Sequence, residues 1–266
     1  MKLCFSTLAC PAWDLPTIVK AAVDNGIGGI DFRGLQSEID VTKLPAFNEK
    51  LDETLALLRA HHLEMPCLNS SVTLMAVGER WGQMLEECQR SAQLASKTGT
   101  RFIRIFGGAV PKEMSREEAI ALGQRRLRQL VKMTRPNNCQ VLIETHDAWV
   151  TADQITPLMD GFEPDEVGLL WDCEHTHRKG EPADQTVNAH GARLRHVHVK
   201  DSVRGEKGNT QLLLGQGDLP IASFVSALRS GGYDGWYALE TEKRWHPEAP
   251  EPEQSIPNFA KYMRAL

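Results

Sequence analysis

Apolar residues recur along this chain in two alternating rhythms. Short runs rich in aliphatic and β-branched residues read as strands: Lys2–Ser6, Gly28–Phe32, Glu64–Asn69, Arg101–Phe106, Gln140–Thr145, Val167–Asp172, Leu194–Val199 and Gly235–Glu240. Between them lie stretches with helical spacing, among them Leu15–Asp24, Phe47–His61, Gly78–Lys97 and Ala119–Met133. In the last, Leu122, Leu127, Leu130 and Val131 form one stripe, with Arg and Gln opposite. Asp14 is placed to cap the first helix, Ser115-Arg-Glu-Glu118 reads as a capping box, and Thr151 and Asp153 suit a further start. Gly26, Gly99 and Gly231-Gly232 suit helix ends. The polar, Gly-rich stretch Gly205–Gly217 reads as a loop inserted after the seventh strand, and a terminal helix is expected around Phe259–Leu266.

Eight strands, each followed by a helix, predict an α/β chain folded as a single (β/α)8 TIM barrel, one domain over residues 1–266. A doubly wound sheet would carry a Gly-rich phosphate loop after an early strand, and neither GxGxxG nor GxxxxGKS/T occurs. With 41% hydrophobic and 24% charged residues the chain is neither disordered nor fibrous. Its 30 basic and 35 acidic residues give a net charge of −5, which argues against a nucleic-acid or anionic-membrane surface. Six scattered cysteines without a CxxC pair read as reduced, buried thiols and place the chain in the cytoplasm. The N-terminal stretch is broken by Pro11 and too short for a signal-peptide core, so it reads as the first strand. No apolar run approaches the roughly 20 residues of a membrane span. Asn69-Ser70-Ser71 fits a glycosylation sequon, which has no consequence in a cytoplasmic chain.

In a barrel of this kind the chemistry sits at the C-terminal strand ends, and side chains alternate between the barrel interior and the helix layer. Val141 and Ile143 suit the helices, leaving Glu144 and His146 facing inward. Asp172 closes the sixth strand; His196, His198 and Lys200 face inward on the seventh, and Glu240 and Glu242 on the eighth. Four successive strands thus end in Glu144, Asp172, His198 and Glu240, three carboxylates and one imidazole. Such a set suits one divalent ion, Mn2+, Mg2+, Co2+ or Zn2+. Without a cation the three carboxylates would repel and some would stay protonated. The plainer reading is a layer of structural salt bridges with Arg33, Arg104 or Lys200. Arg33 and Arg104 also fall at inward positions where they could meet a carboxylate or phosphate, or pair with Asp31. Trp13, Trp149, Trp171 and Trp245 lie near strand ends as candidate pocket walls, Cys173 reads as packing, and His177, Lys179 and Glu181 as part of a loop over the mouth.

Gly29-Ile-Asp-Phe-Arg33, Ile103-Arg-Ile-Phe-Gly-Gly108, Ile143-Glu-Thr-His146, Asp172-Cys-Glu-His175, His196-Val-His-Val-Lys-Asp201, Gly215-Gln-Gly-Asp218 and Glu240 together resemble the xylose isomerase-like TIM-barrel superfamily. Within it, they are similar to the sugar isomerase/epimerase-like branch that includes tagatose 3-epimerase and inosose dehydratase, over essentially the whole chain. The resemblance implies a metal site at Glu144, Asp172, His198 and Glu240, often Mn2+, with His175 and Arg204 holding substrate oxygens; His146 and Lys200 are further candidate substrate contacts. It implies a carbohydrate or polyol substrate and proton abstraction next to a carbonyl, with Glu144 and Glu240 as the two catalytic carboxylates. Return of the proton gives isomerisation or epimerisation. Loss of a β-hydroxyl, with His146 or His175 as acid, gives the dehydration of an inosose or 3-dehydroshikimate type. Val150 stands where the epimerases carry a further Glu, and Thr145-His-Asp-Ala-Trp-Val150 replaces their Pro-rich loop. The abasic-site endonuclease branch needs extra histidines, and Leu68–Ser71, Phe106–Gly108 and Val203–Gly217 hold none. A sugar-binding barrel without catalysis is the non-enzymatic reading. Homodimers or homotetramers are common among such relatives.

Overall fold

The computed structural model describes residues 1–206 and 208–266. Strands and helices alternate along the chain: β1 (Lys2–Ser6), α1 (Leu15–Asp24), β2 (Gly29–Asp31), α2 (Leu51–Ala60), β3 (Cys67–Thr73), α3 (Arg80–Thr98), β4 (Phe102–Phe106), α4 (Arg116–Thr134), β5 (Gln140–Glu144), α5 (Ala152–Met159), β6 (Val167–Asp172), α6 (Cys173–Arg178), α7 (Ala183–His190), β7 (Leu194–Val199), β8 (Asp201–Gly205), β9 (Gly208–Leu212), α8 (Ile221–Ser230), β10 (Trp236–Leu239) and α9 (Pro252–Ala265). The caps read from sequence are formed. Asp14 accepts from Thr17 N at 3.0 Å, and Ser115 and Glu118 make a reciprocal capping box. Thr151 does the same with Gln154 rather than with Asp153 alone.

The residues fall into two compact units. One comprises Met1–Pro66 and His196–Leu266, the other Cys67–Arg195. In the first, β1 pairs in parallel with β2 on one side and β10 on the other, and β10 pairs with β7. The register aligns Cys4 with Gly29 and Ala238, and Ala238 with His198. One face of these strands therefore carries Cys4, Asp31, His196 and His198, while Phe5, Ile30, Tyr237 and Val197 occupy the other. In the second unit β3, β4, β5 and β6 pair in parallel in that order. One face holds Cys67, Phe102, Leu142 and Leu170 packed together, and the next level along the same face holds Asn69, Arg104, Glu144 and Asp172. The opposite face is Ile103, Ile105, Val141, Ile143 and Leu169, all fully buried, as expected of strands covered by helices.

Several expectations change. The stretch after the seventh strand is not simply a loop: β8 and β9 form an antiparallel hairpin, with Asp201 opposite Leu212 and Arg204 opposite Asn209. Glu181 lies in the segment between α6 and α7, as read, but it is buried and its carboxylate accepts Ala152 N at 2.6 Å and Thr186 Oγ1 at 2.5 Å, while His177 belongs to α6 itself. The third strand begins later and runs longer, with a bulge between Asn69 and Thr73. Trp149 and Trp171 are fully buried and satisfied by Gly108 O and Thr176 Oγ1, so they pack rather than wall a pocket, while Trp245 is 53% exposed. All six cysteines are free and buried. Among the described residues no helix is long and apolar enough to cross a membrane.

Candidate functional site

In the first unit the polar level is a chain of buried contacts. His198 Nδ1 lies 3.0 Å from Glu240 Oε1, and Lys200 Nζ lies 2.9 Å from Glu240 Oε2. Lys200 also lies 4.0 Å from Glu242 Oε2. Glu242 in turn accepts from Gln211 Nε2 and donates its N–H to Gln211 Oε1, each at 2.8 Å, which ties β9 to the segment after β10. Below this level His196 Nε2 lies 2.5 Å from Asp31 Oδ2, both fully buried. Asp31 thus has a histidine partner that was not named from the sequence. Arg204 sits on β8 as an exposed residue of the hairpin.

In the second unit Glu144 ends β5 and Asp172 ends β6. Glu144 Oε2 lies 3.2 Å from Arg104 Nε, with both side chains almost completely buried. Asp172 Oδ1 caps α6, accepting the N–H groups of Glu174 at 2.9 Å and His175 at 3.1 Å. Thr145 bridges the two strand ends, its Oγ1 accepting from Asp172 N at 2.9 Å. The His175 Nδ1–H donates to Thr145 O at 2.8 Å, which leaves Nε2 as its acceptor. His146 stacks edge-on between Phe106 and His175, with ring centroids 4.8 Å and 4.6 Å away. Its pKa is raised. Burial, the largest single influence, pushes it down, but the hydrogen bond to Asp147 and the charges of Glu144, Asp147 and Asp172 outweigh burial. Asp147 holds a left-handed backbone at φ 55°, a strained conformation that Asp tolerates better than most residues.

Each residue singled out from sequence is thus located. Glu240, His198 and Lys200 are brought together in one unit; Glu144, Asp172, His146 and His175 share the end of the other. Arg204 lies on β8 of the hairpin. Asn69, Thr145 and Gln211 were missed as functional candidates. The alternation along β3 places Asn69 on the same face as Cys67.

A family model described as xylose isomerase-like TIM barrel matches residues 19–266. The chain belongs to that family. The (β/α)8 barrel read from the alternating pattern is its fold, and the family's named relatives are enzymes. An inosose dehydratase from Geobacillus thermodenitrificans is 30% identical over 129 residues, 43% of this chain and 43% of that protein. The chain therefore matches less than half the length of that relative. Among solved structures, a probable 3-DHS dehydratase, AsbF, from Bacillus anthracis superposes with a TM-score of 0.83 at 19% identity, covering 99% of both chains. The IOLI protein, solved with a bound zinc atom, superposes with a TM-score of 0.82 at 20% identity, covering 100% of this chain and 97% of its own. At these identities the superpositions establish the fold.

Proposed function

We propose that this protein is a divalent-metal-dependent sugar isomerase or epimerase, acting by proton abstraction next to a carbonyl of a keto sugar or related polyol. The observation that carries the reading is that β5, β6, β7 and β10 each end in one buried ligand-type side chain: Glu144, Asp172, His198 and Glu240. Three carboxylates and one imidazole fit a hard-to-borderline divalent ion, and the zinc in the IOLI structure supports a metal in this fold. Mn2+ leads, with Mg2+, Co2+ and Zn2+ as alternatives. Such an ion, when bound, polarises a substrate carbonyl and stabilises the negative charge that develops beside it.

The chain's own residues do the rest. Glu144 and Glu240 are the bases, each beside a buried cation, Arg104 for Glu144 and Lys200 for Glu240. One removes the proton and the other returns it. His175, with its Nε2 acceptor fixed by Thr145, orients a substrate hydroxyl; Lys200, His146 and Arg204 are further substrate contacts. Dehydration is the second reading. It is favoured by the raised pKa of His146 beside Asp147, which supplies a proton for a departing hydroxyl, and by the dehydratases among the similar proteins.

Metal content and solvent exchange test both readings. After reconstitution with Mn2+, wild type is expected to retain about one ion per chain, and Glu240→Gln and His198→Ala to lose it, the ligand set offering one position. In D2O, a keto sugar or an inosose should gain deuterium at the carbon next to its carbonyl. A wild type that holds no ion overturns the metal reading. Exchange accompanied by loss of water moves the assignment to dehydration, and absence of exchange with every hydroxyketone leaves a binding barrel.

A further inference from the structure

α4 opens on Arg116, the first residue after its Ser115 cap. A cation there faces the positive end of the helix, where acidic residues are favoured, as Glu117 and Glu118 show. The side chain explains the exception, because it reaches away from its own helix. Arg116 Nη1 donates to Ala148 O at 3.0 Å and Nη2 to Gln154 O at 2.8 Å. Its central carbon lies 3.6 Å from the centre of the Trp149 ring. One planar fork thus ties the segment after β5 to the first turn of α5.

That segment is a tight turn under strain. Trp149 N–H closes it onto His146 O at 3.0 Å. Asp147, its first central residue, holds φ 55°, a conformation that turns give mostly to Gly, Asn or Asp. Such a residue stays left-handed where its surroundings over-determine the backbone. Two grips do so here. Trp149 is fully buried, its N–H on Gly108 O at 2.7 Å and its ring set against Gly107. Arg116 takes the carbonyl just before it. The pair that stays accessible is His146 and Asp147, with Nδ1 3.1 Å from Oδ1 and side chains 31% and 34% exposed. The His146 ring meets Phe106 and His175 edge-on, so a displaced turn would carry it out of both contacts.

We propose that Arg116 is a positioning residue: through Ala148 O and the Trp149 ring it sets the turn that aims the His146 imidazole. This deepens the reading in which His146 meets the substrate. It rests on that reading for its consequence in catalysis, though not for the positioning itself.

NMR of the histidine rings at one fixed pH tests it, with His146→Gln identifying the His146 signal among the nine histidines. In wild type the Phe106 and His175 rings should displace that signal from the position of a free histidine. Arg116→Met should remove most of the displacement and leave the His190 signal where it is. Hydrogen exchange at Trp149 N–H should rise about 10-fold, as two lost hydrogen bonds of ordinary strength allow. Arg116→Lys keeps the charge but not the fork, so it should behave like Arg116→Met and separates orientation from a change in protonation. It also carries the test where Arg116→Met does not fold. An unmoved His146 signal in both variants, a signal restored by Arg116→Lys, or exchange that rises equally along α4 and α5 would each overturn the positioning role. A wild type that exchanges no deuterium into a keto sugar or an inosose, with a His146 signal that still depends on Arg116, refutes the proposed reaction and leaves the positioning role standing.

Discussion

Lys200 Nζ lies 2.9 Å from Glu240 Oε2, and both side chains are buried. An ammonium beside a proposed metal ligand does two opposing things: it steadies the carboxylate when no ion is bound, and it competes with one that arrives. Lys200→Met should therefore destabilise the metal-free protein, by up to about 3 kcal/mol, because a buried carboxylate loses its cation. The same variant should gain more from Mn2+ than wild type does. Thermal melts with chelator and with Mn2+ read both effects. A metal-induced shift in Tm no larger than that of wild type would show that Lys200 does not oppose the ion.

Asp201 is the anchor of the hairpin base. Its Oδ2 accepts from Gly215 N at 2.8 Å and Gly217 N at 3.0 Å, and its Oδ1 from Ser202 N at 2.9 Å and Leu219 N at 3.3 Å. The carboxylate leaves no room for a side chain at 217, where a Cβ would come within 2.0 Å of Oδ1. Asp201→Asn turns one acceptor into a donor facing backbone N–H groups. A loss of about 3 kcal/mol is expected from charge-assisted bonds of this kind. Hydrogen exchange should rise at 213–219 while β5 stays protected. Denaturation within 0.5 kcal/mol of wild type, roughly the experimental floor for a surface substitution, would refute the anchoring role.

How much of this was legible beforehand depends on the scale of the signal. Strand parity singled out Glu144, His198 and Glu240, and Asp172 stood out as the close of its strand, because a period of two is set by local backbone geometry wherever the strand is regular. The caps at Asp14 and Ser115 were legible for the same reason. What failed was non-local. The bulge in β3 depends on its pairing with β4, so the strand was ended too early, at Asn69 instead of Thr73. The stretch Gly205–Gly217 looked like a loop because Gly208, Asn209 and Thr210 on β9 are exposed and show no apolar alternation. Glu181 was read only as part of a loop, since a carboxylate satisfied by a backbone amide and a threonine 29 and 5 residues away carries no sequence mark.

Gly107 is there for Trp149. A Cβ at 107 would lie 2.1 Å from Trp149 Cδ1. The indole has nowhere to go, since its N–H donates to Gly108 O at 2.7 Å and the Arg116 guanidinium covers its ring at 3.6 Å. Gly107→Ala should cost about 1–3 kcal/mol by overpacking and shift the tryptophan emission. Adding Trp149→Phe, which shrinks the ring, should recover part of that loss. A double variant as unstable as the sum of the two singles would show that the two positions are not coupled through this contact.

His190 makes stability depend on pH. The side chain is 3% exposed, and its pKa is lowered from 6.5 to about 4 by burial first and by the Arg193 charge second. Its Nε2 lies 3.5 Å from Thr156 Oγ1, a contact too weak to hold a proton on the ring. The unfolded chain binds a proton at this histidine below pH 6.5, where the folded chain still refuses it, so stability rises with pH across that window. The contribution is complete above pH 6.5 and is lost progressively as pH falls towards 4. Its full size is about 3 kcal/mol, from roughly 1.4 kcal/mol per pKa unit. Carboxylates titrating in the same range add their own slope, so the comparison that isolates His190 is with His190→Gln, whose amide stays neutral throughout. Urea denaturation of both proteins at pH 7, 5.5 and 4.5 should give curves that converge as the pH falls, because only wild type loses this term. Parallel pH dependences would mean that His190 is protonated as readily in the folded chain as in the unfolded one.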